Sequence, residues 1–185
     1  MNYPNRKNTS NSNIITYSNR GMDLESDINN SNKYYLENDI AIIYKKPTPI
    51  KVVNVNYNKR INTKITEAYY ETPSTTDYNG IYKGKYIDFE AKETKSKTSF
   101  SLNNIHSHQI DHLIRVKNHG GISFLIIKFV LLDETYLFET KYLEEFINNN
   151  SRKSIPYKYI KDNGYLLSYN YYPRIEYIKV LDKIL

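Results

Sequence analysis

Hydrophobic positions along the 185-residue chain switch between two periods, and the switches mark out its elements. In "GMDLESDINNSNKYYLEN" the residues Leu24, Ile28 and Tyr35 recur on one helical face, so a helix opens the ordered part of the chain. "DIAIIYKK" follows as a buried strand. Pro47, Pro49 and Pro73 bracket two alternating segments, Val53/Val55/Tyr57 and Ile65 onward, around a basic turn at residues 58–62. They read as a protruding pair of strands with Lys59 and Arg60 near the tip. A hairpin, "TTDYNGIYKGKYIDFEAKET", occupies residues 75–94. Beyond it, "NIHSHQIDHLIRVKNHGG" turns Ile105, Leu113 and Val116 toward a core and stops at Gly120 and Gly121, as a helix does. "ISFLIIKFVLL" is the most apolar run and reads as a central strand. A short strand "TYLFE", a helix "TKYLEEFINNN" and a tyrosine-rich tail ending in the helix-like "RIEYIKVLDKIL" complete a mixed α/β domain without internal repeats. Residues 1–20, rich in Asn and Ser and without periodicity, read as a mobile arm in which Arg6, Lys7 and Arg20 are placed to meet phosphate.

Composition narrows the function more than the fold. With 39% apolar and 25% charged residues the chain is an ordinary globular one, long enough to bury a core. It has no apolar run of about 18 residues and no apolar segment behind its N-terminus. The expectation is therefore a cytoplasmic protein with neither a membrane span nor a secretory signal. Zero cysteines exclude disulfides and thiolate zinc sites, so any metal must sit on oxygen or imidazole. A net charge of +6 and a pI near 9.2 point to a polyanionic partner, nucleic acid first and an anionic membrane surface second. The 20 tyrosines carry little weight as base-stacking platforms, because Lys, Asn, Ile and Tyr together are what A/T-rich codons supply.

The chemistry concentrates in residues 75–94. Carboxylates are depleted in strands, yet this hairpin carries Asp77, Asp88 and Glu90 with Lys92. If Lys83-Gly84 forms a two-residue loop, facing residues sum to 83 + 84, which sets Asp77 opposite Glu90 and Thr75 opposite Lys92. The Asn79-Gly80 pair is the alternative site for the turn or for a bulge. Like charges directly opposed destabilise a sheet, so a cation between them is called for. A hard divalent ion such as Mg²⁺ accepts one or two carboxylates and keeps positions for water and phosphate oxygens. Alternation puts Asp88, Glu90 and Lys92 on one face and turns Ile87, Phe89 and Ala91 to the core. A lysine beside a metal can orient water and stabilise charge on a phosphate, the parts of phosphodiester hydrolysis. The plainer alternative is a surface hairpin on which Glu90 pairs with Lys92 or Lys85.

Asp77 followed thirteen residues later by Glu90-Ala91-Lys92 resembles the PD-(D/E)XK nuclease pattern. The wider text is more specific: "MNYPN", "RGM.LE.DI..SN.YY", "DIAIIYKKPTPI.VVNVNY", "EAYY.TPSTTDYNG.Y.G.YIDFEAKET", "NNIH.HQ", "GGI.FL" and "NGY". Over nearly its whole length the chain resembles the RecU family, the Holliday junction resolvases of low-GC Gram-positive bacteria and their wall-less relatives. The resemblance implies a restriction-endonuclease-like fold, a mixed central sheet flanked by helices with a protruding β stalk. Residues 21–185 would form a single nuclease domain with the stalk inserted at about 45–70. It implies a homodimer that needs Mg²⁺, with Mn²⁺ as a substitute, and nicks two opposed strands of four-way junction DNA during recombination and repair. A further family role, modulation of the RecA recombinase, names a second partner. A nuclease of the same fold acting on linear duplex is the remaining alternative.

Carried over by position, Asp77 and Glu90 are metal ligands and Lys92 the catalytic lysine. Glu25 matches an acidic residue the superfamily brings to the metal, or is a first-turn carboxylate favoured by the helix dipole. Gln109 matches a polar residue placed near the scissile phosphate. Asp88, displaced along the strand by about 6.6 Å, either supports the metal site from outside its ligand set or meets DNA at its edge. The stalk brings Lys45, Lys46, Lys51, Lys59, Arg60 and Lys64 toward the junction centre, where basic residues contact phosphate without reading bases. Tyr69 and Tyr70 match an aromatic pair that stacks on bases or braces the stalk root. Thr75, Lys95, Lys97 and Arg20 complete the expected DNA contacts. "HSHQIDH" resembles a His-x-His-x-Asp-His zinc motif but has one extra residue before Asp111; His106 and His108 are therefore placed near DNA or at a helix cap, and His112 at the surface. The N-terminal arm departs from the family in being shorter and poorer in basic residues.

Overall fold

The computed structural model describes residues 23–56, 64–71 and 75–185. The first helix, α1 (Leu24–Glu37), starts where the Asp23 carboxylate accepts from the Ser26 N–H at 2.8 Å. Its buried residues include Leu24, Ile28 and Tyr35, the stripe expected from the spacing. The strands are β1 (Ile42–Lys45), β2 (Ile50–Asn56), β3 (Lys64–Tyr70), β4 (Tyr78–Tyr82), β5 (Lys85–Thr94), β6 (Ser99–Ser101), β7 (Ile122–Phe129), β8 (Glu134–Glu139), β9 (Ser154–Pro156) and β10 (Tyr165–Leu166). The remaining helices are α2 (Ser107–Asn118), α3 (Thr140–Asn149), α4 (Tyr157–Asn163) and α5 (Ile178–Ile184).

Six strands form one sheet in the order β1-β4-β5-β7-β8-β10, with β5 and β7 parallel and the other neighbours antiparallel. This is the mixed central sheet flanked by helices that the sequence predicts. One core lies between the sheet and α1 and α5, where Phe89 stacks on Tyr78 and Phe124 at 4.8 and 4.7 Å. The other lies under α2, α3 and α4 around Leu125, Ile127 and Phe138. The apolar run 122–129 is central, as its composition demands, because both of its faces are covered.

One expectation changes. The "DIAIIYKK" segment is an edge strand rather than a buried one: Ile43 is buried, while Ile42 and Tyr44 are exposed, because the sheet ends at β1. The short elements β6, β9, α4 and β10 are too brief to show a period; Phe100 and Ile155 nevertheless pair across β6 and β9 and are fully buried. The expected stalk is a separate two-stranded sheet, β2 with β3, running from Ile50↔Tyr70 to Asn56↔Lys64 with its register interrupted between Val52 and Val55. Nearly every residue on both its faces is exposed. Its tip with Lys59 and Arg60, the arm 1–20 with Arg20, and Pro73 lie outside the described residues. Among the described residues no helix is long and apolar enough to cross a membrane.

Candidate active site

Lys83 and Gly84 both adopt positive φ, 46° and 75°, which makes them a two-residue hairpin loop whose twist suits the flanking strands. The pairing Tyr82↔Lys85 through Tyr78↔Phe89 follows the register counted from that loop. Asn79-Gly80 lies mid-strand, and the glycine is there because a Cβ would fall 2.0 Å from the Ile42 carbonyl oxygen across β1. The ladder stops at Tyr78, so Thr75 is not paired with Lys92. Asp77 nevertheless stays beside Glu90. Its N–H donates to Glu90 Oε2 at 3.0 Å, and the Ala91 N–H donates to Asp77 Oδ2 at 3.3 Å.

Glu90 is fully buried, as is Asp88. The face that alternation assigns to the carboxylates is not an open one: α2 packs across it, and β7 extends the sheet beside it. Gln109, itself buried on α2, donates from Nε2 to Glu90 Oε1 at 2.9 Å, while its Oε1 accepts from the His106 N–H at 3.1 Å at the start of the helix. Both ends of the amide are thus engaged, and Gln109 braces Glu90 from the start of α2. Lys92 Nζ is ion-paired to Glu90 and partly exposed. Burial pushes the Glu90 carboxyl up to about 7; the Lys92 ammonium opposes this and the Asp77 carboxylate adds to it. Asp77 and Glu90 are thus neighbours tied through each other's backbone, with the Lys92 ammonium set against Glu90. That is a fit for a hard divalent ion that takes two carboxylates and leaves its remaining positions to water and phosphate.

Glu25 is not drawn into this pair. It sits on α1, across the sheet from Glu90, and its exposed carboxylate is ion-paired with Lys45. It does share with Asp77, Tyr78, Ala91 and Glu93 the wall of a cleft of about 140 Å³. Glu93, a residue the sequence reading passed over, closes that wall by accepting from the Leu24 N–H at 2.9 Å. Among the described residues no group of three or more acidic or histidine side chains converges on one point.

The expected DNA contacts divide. Lys64, Thr75, Lys95 and Lys97 are exposed, and Tyr69 and Tyr70 are 60% and 83% exposed. Lys45 is bound to Glu25 at the mouth of the cleft. Lys46 is turned inward: its ammonium lies 2.8 Å from Asp88 Oδ2 and also contacts the Thr75 and Thr76 hydroxyls, leaving its side chain 14% exposed. Asp88 is no edge residue, since Tyr86 and His112 also meet it, at 2.8 and 3.1 Å. His112 accordingly faces this carboxylate instead of solvent. Rings of His106 and His108 stack at the start of α2, 5.4 Å apart.

The family described as RecU, Recombination protein U, matches residues 19–183. The chain belongs to the RecU family. Relatives named Holliday junction resolvase RecU are 56% identical over 172 residues in Bacillus mycoides, covering 91% of this chain and 86% of that protein. In Staphylococcus aureus the identity is 52% over 200 aligned positions, covering 100% of this chain and 96% of the relative. Among solved structures, Archaeoglobus fulgidus Hjc, a Holliday junction resolvase, aligns with 72% of this chain and 90% of its own at 12% identity and a TM-score of 0.42. The RecU-family match spans the hairpin, the helix that bears Gln109 and the stalk strands alike.

Proposed function

We propose that the protein is a metal-dependent endonuclease that resolves four-way Holliday junctions by paired symmetric nicks during DNA recombination and repair. The observation that carries this reading is the half-buried Asp77 set against the fully buried Glu90, with Lys92 ion-paired to Glu90, in a chain of the RecU family. A resolvase of this family implies a divalent metal, and we assign Mg²⁺, with Mn²⁺ as a substitute, held by Asp77 and Glu90 with Glu25 assisting from the cleft wall. When bound, such an ion supplies Lewis acidity toward the phosphoryl oxygen and lowers the pKa of an attacking water. Gln109 fixes one oxygen of Glu90, and the reciprocal backbone bonds fix Asp77 beside it, so that the two carboxylates would be held in place for an ion. Lys92 lies beside that centre, where its ammonium orients water for in-line attack and offsets charge building on the phosphate. The products carry 5′-phosphate and 3′-hydroxyl ends.

Exposed Lys64, Lys95, Lys97, Tyr69 and Tyr70 are assigned to the DNA backbone and to bases unstacked near the junction centre. Two opposed nicks call for two active sites, so the working unit is a cytoplasmic homodimer, and a contact with the RecA recombinase would accompany its nuclease activity. The exposed apolar set Ile42, Tyr44, Ile81 and Tyr86, spread over β1, β4 and β5, is the surface we offer for the second copy. Sedimentation of Ile81→Lys tests this.

The activity itself is tested by comparing cleavage of a mobile four-way junction with a matched duplex, in Mg²⁺ or EDTA, by the wild type and Glu90→Gln. Metal-dependent paired nicks in the junction alone, lost in the variant while binding persists, are the expected result. Equal cutting of the duplex would refute the junction assignment.

A further inference from the structure

We propose that Asp88 is a positioning residue that ties the root of the β2–β3 stalk to the catalytic strand. The proposal rests on the nuclease reading above and deepens it.

Asp88 and Glu90 lie two residues apart on the same face of β5, and both are fully buried. Their partners differ. Glu90 is shared with Asp77 and Lys92, whereas Asp88 is enclosed by four side chains from separate places in the chain. Lys46 Nζ and the Tyr86 hydroxyl each lie 2.8 Å from Oδ2, His112 Nε2 lies 3.1 Å from it, and the Thr76 hydroxyl meets Oδ1. With both oxygens engaged, this carboxylate offers little to a metal or to DNA.

The identity of the partners gives the arrangement its use. Lys46 is the first residue past β1 and leads into β2. Its backbone N–H donates to the Asp77 carbonyl at 2.8 Å, and its ammonium bridges Thr75, Thr76 and Asp88. The lysine therefore brackets the metal-pair residue Asp77 from both sides. His112 stands one helical turn beyond Gln109 on α2, so two side chains of one helix face hold Asp88 and Glu90 together. The stalk strands are exposed on both faces, so their root is where their direction against the sheet is set. A stalk seated on a junction would thereby bear on Asp77 through Lys46 and Asp88.

The test uses the full-length protein with Lys46→Met, Asp88→Asn and the double variant. Junction affinity and its salt dependence are measured in EDTA, the single-turnover cleavage rate at saturating protein in Mg²⁺, and folding by thermal scan. Expected is a loss of about tenfold or more in cleavage rate for each single variant, with the double no worse than the weaker single, as for residues acting as one unit. Affinity stays within about twofold and the salt slope is unchanged. A Lys46→Met protein that cuts bound junction normally, but binds weakly with a slope smaller by about 1, would make Lys46 an ordinary phosphate contact and overturn the proposal. Separate, additive losses would overturn it too. A merely structural role would lower the melting temperature and leave the rate of folded protein unmoved. Should Asp88→Asn not fold, Tyr86→Phe and His112→Gln each trim one bond to the carboxylate; a slower rate at unchanged affinity supports the proposal, and an unchanged rate refutes it. A wild type that leaves junctions uncut would sink the nuclease reading instead.

Discussion

Two antiparallel strand pairs of the molecule, β4–β5 and β2–β3, differ in almost every physical respect. β4–β5 keeps an unbroken register, is held between β1 and β7, and buries β5 on both faces from Ile87 to Glu90. β2–β3 breaks register between Val52 and Val55 and meets solvent on both faces. Packing over-determines the first, so it can hold Asp77 and Glu90 side by side against their repulsion. The second has no such constraint and presents lysines and tyrosines to a partner of variable shape. Accuracy sits where burial is greatest, adaptability where it is least.

The largest effect that should separate the two is chemical. Glu90→Gln is expected to lower junction cleavage by about 10³-fold or more, the several kcal/mol of transition-state stabilisation a metal supplies, with binding intact in a gel-shift assay. Next comes stability. Phe89→Ala, which removes a ring stacked between Tyr78 and Phe124, should cost about 3–5 kcal/mol in denaturant unfolding. Val53→Ala on the stalk should stay within about 0.5 kcal/mol of wild type; a comparable loss there would abolish the contrast. Tyr70→Ala should weaken junction affinity by about 1–3 kcal/mol in a binding titration while leaving the melting temperature in place. A separate effect concerns pH. In the folded protein the Glu90 carboxyl is raised from 4.5 to about 7, so the folded state holds its proton more tightly than the unfolded one. The stability this gives is full below about 4.5 and is lost as pH rises through about 7. Thermal scans in EDTA should show that decline, and Glu90→Gln should lack it. A divalent cation, which binds the ionised pair, should flatten it.

Much of this was legible in the residues because it depends on local counting. The loop at Lys83-Gly84 and the period of two placed Asp77 against Glu90, and helical spacing found Leu24, Ile28 and Tyr35. What escaped depends on what packs against what. Nothing in "YIDFEAK" says that α2 will cover the Asp88–Glu90 face, so the sequence left Asp88 open between supporting the metal site and meeting DNA, and did not show that Gln109 bonds Glu90. Lys46 was grouped with the basic stalk residues by its neighbours in the chain, while its partner Asp88 lies 42 residues away. Glu25 was placed beside the metal by resemblance, and nothing in the sequence says that Lys45 would pair with its carboxylate on the wall of the cleft it shares with Asp77. The edge position of β1 followed from strand order, which periodicity does not encode.

The Lys83-Gly84 loop stands at the far end of the hairpin from the chemistry, six residues from Asp77 and six from Glu90. Exposed loop tips ordinarily tolerate added or lost residues. Here the tip is pinned to α5, where Asp182 accepts from Lys83 and Tyr82 at 2.6 and 2.7 Å. One residue inserted into either arm would slide the strands by a step and turn every side chain beyond it to the opposite face. The hairpin therefore serves as a gauge, in which the distance along the chain is itself a functional quantity. A lineage could exchange many of its surface residues and keep the activity, but a single-codon insertion or deletion in either arm would part Asp77 from Glu90 with both still present.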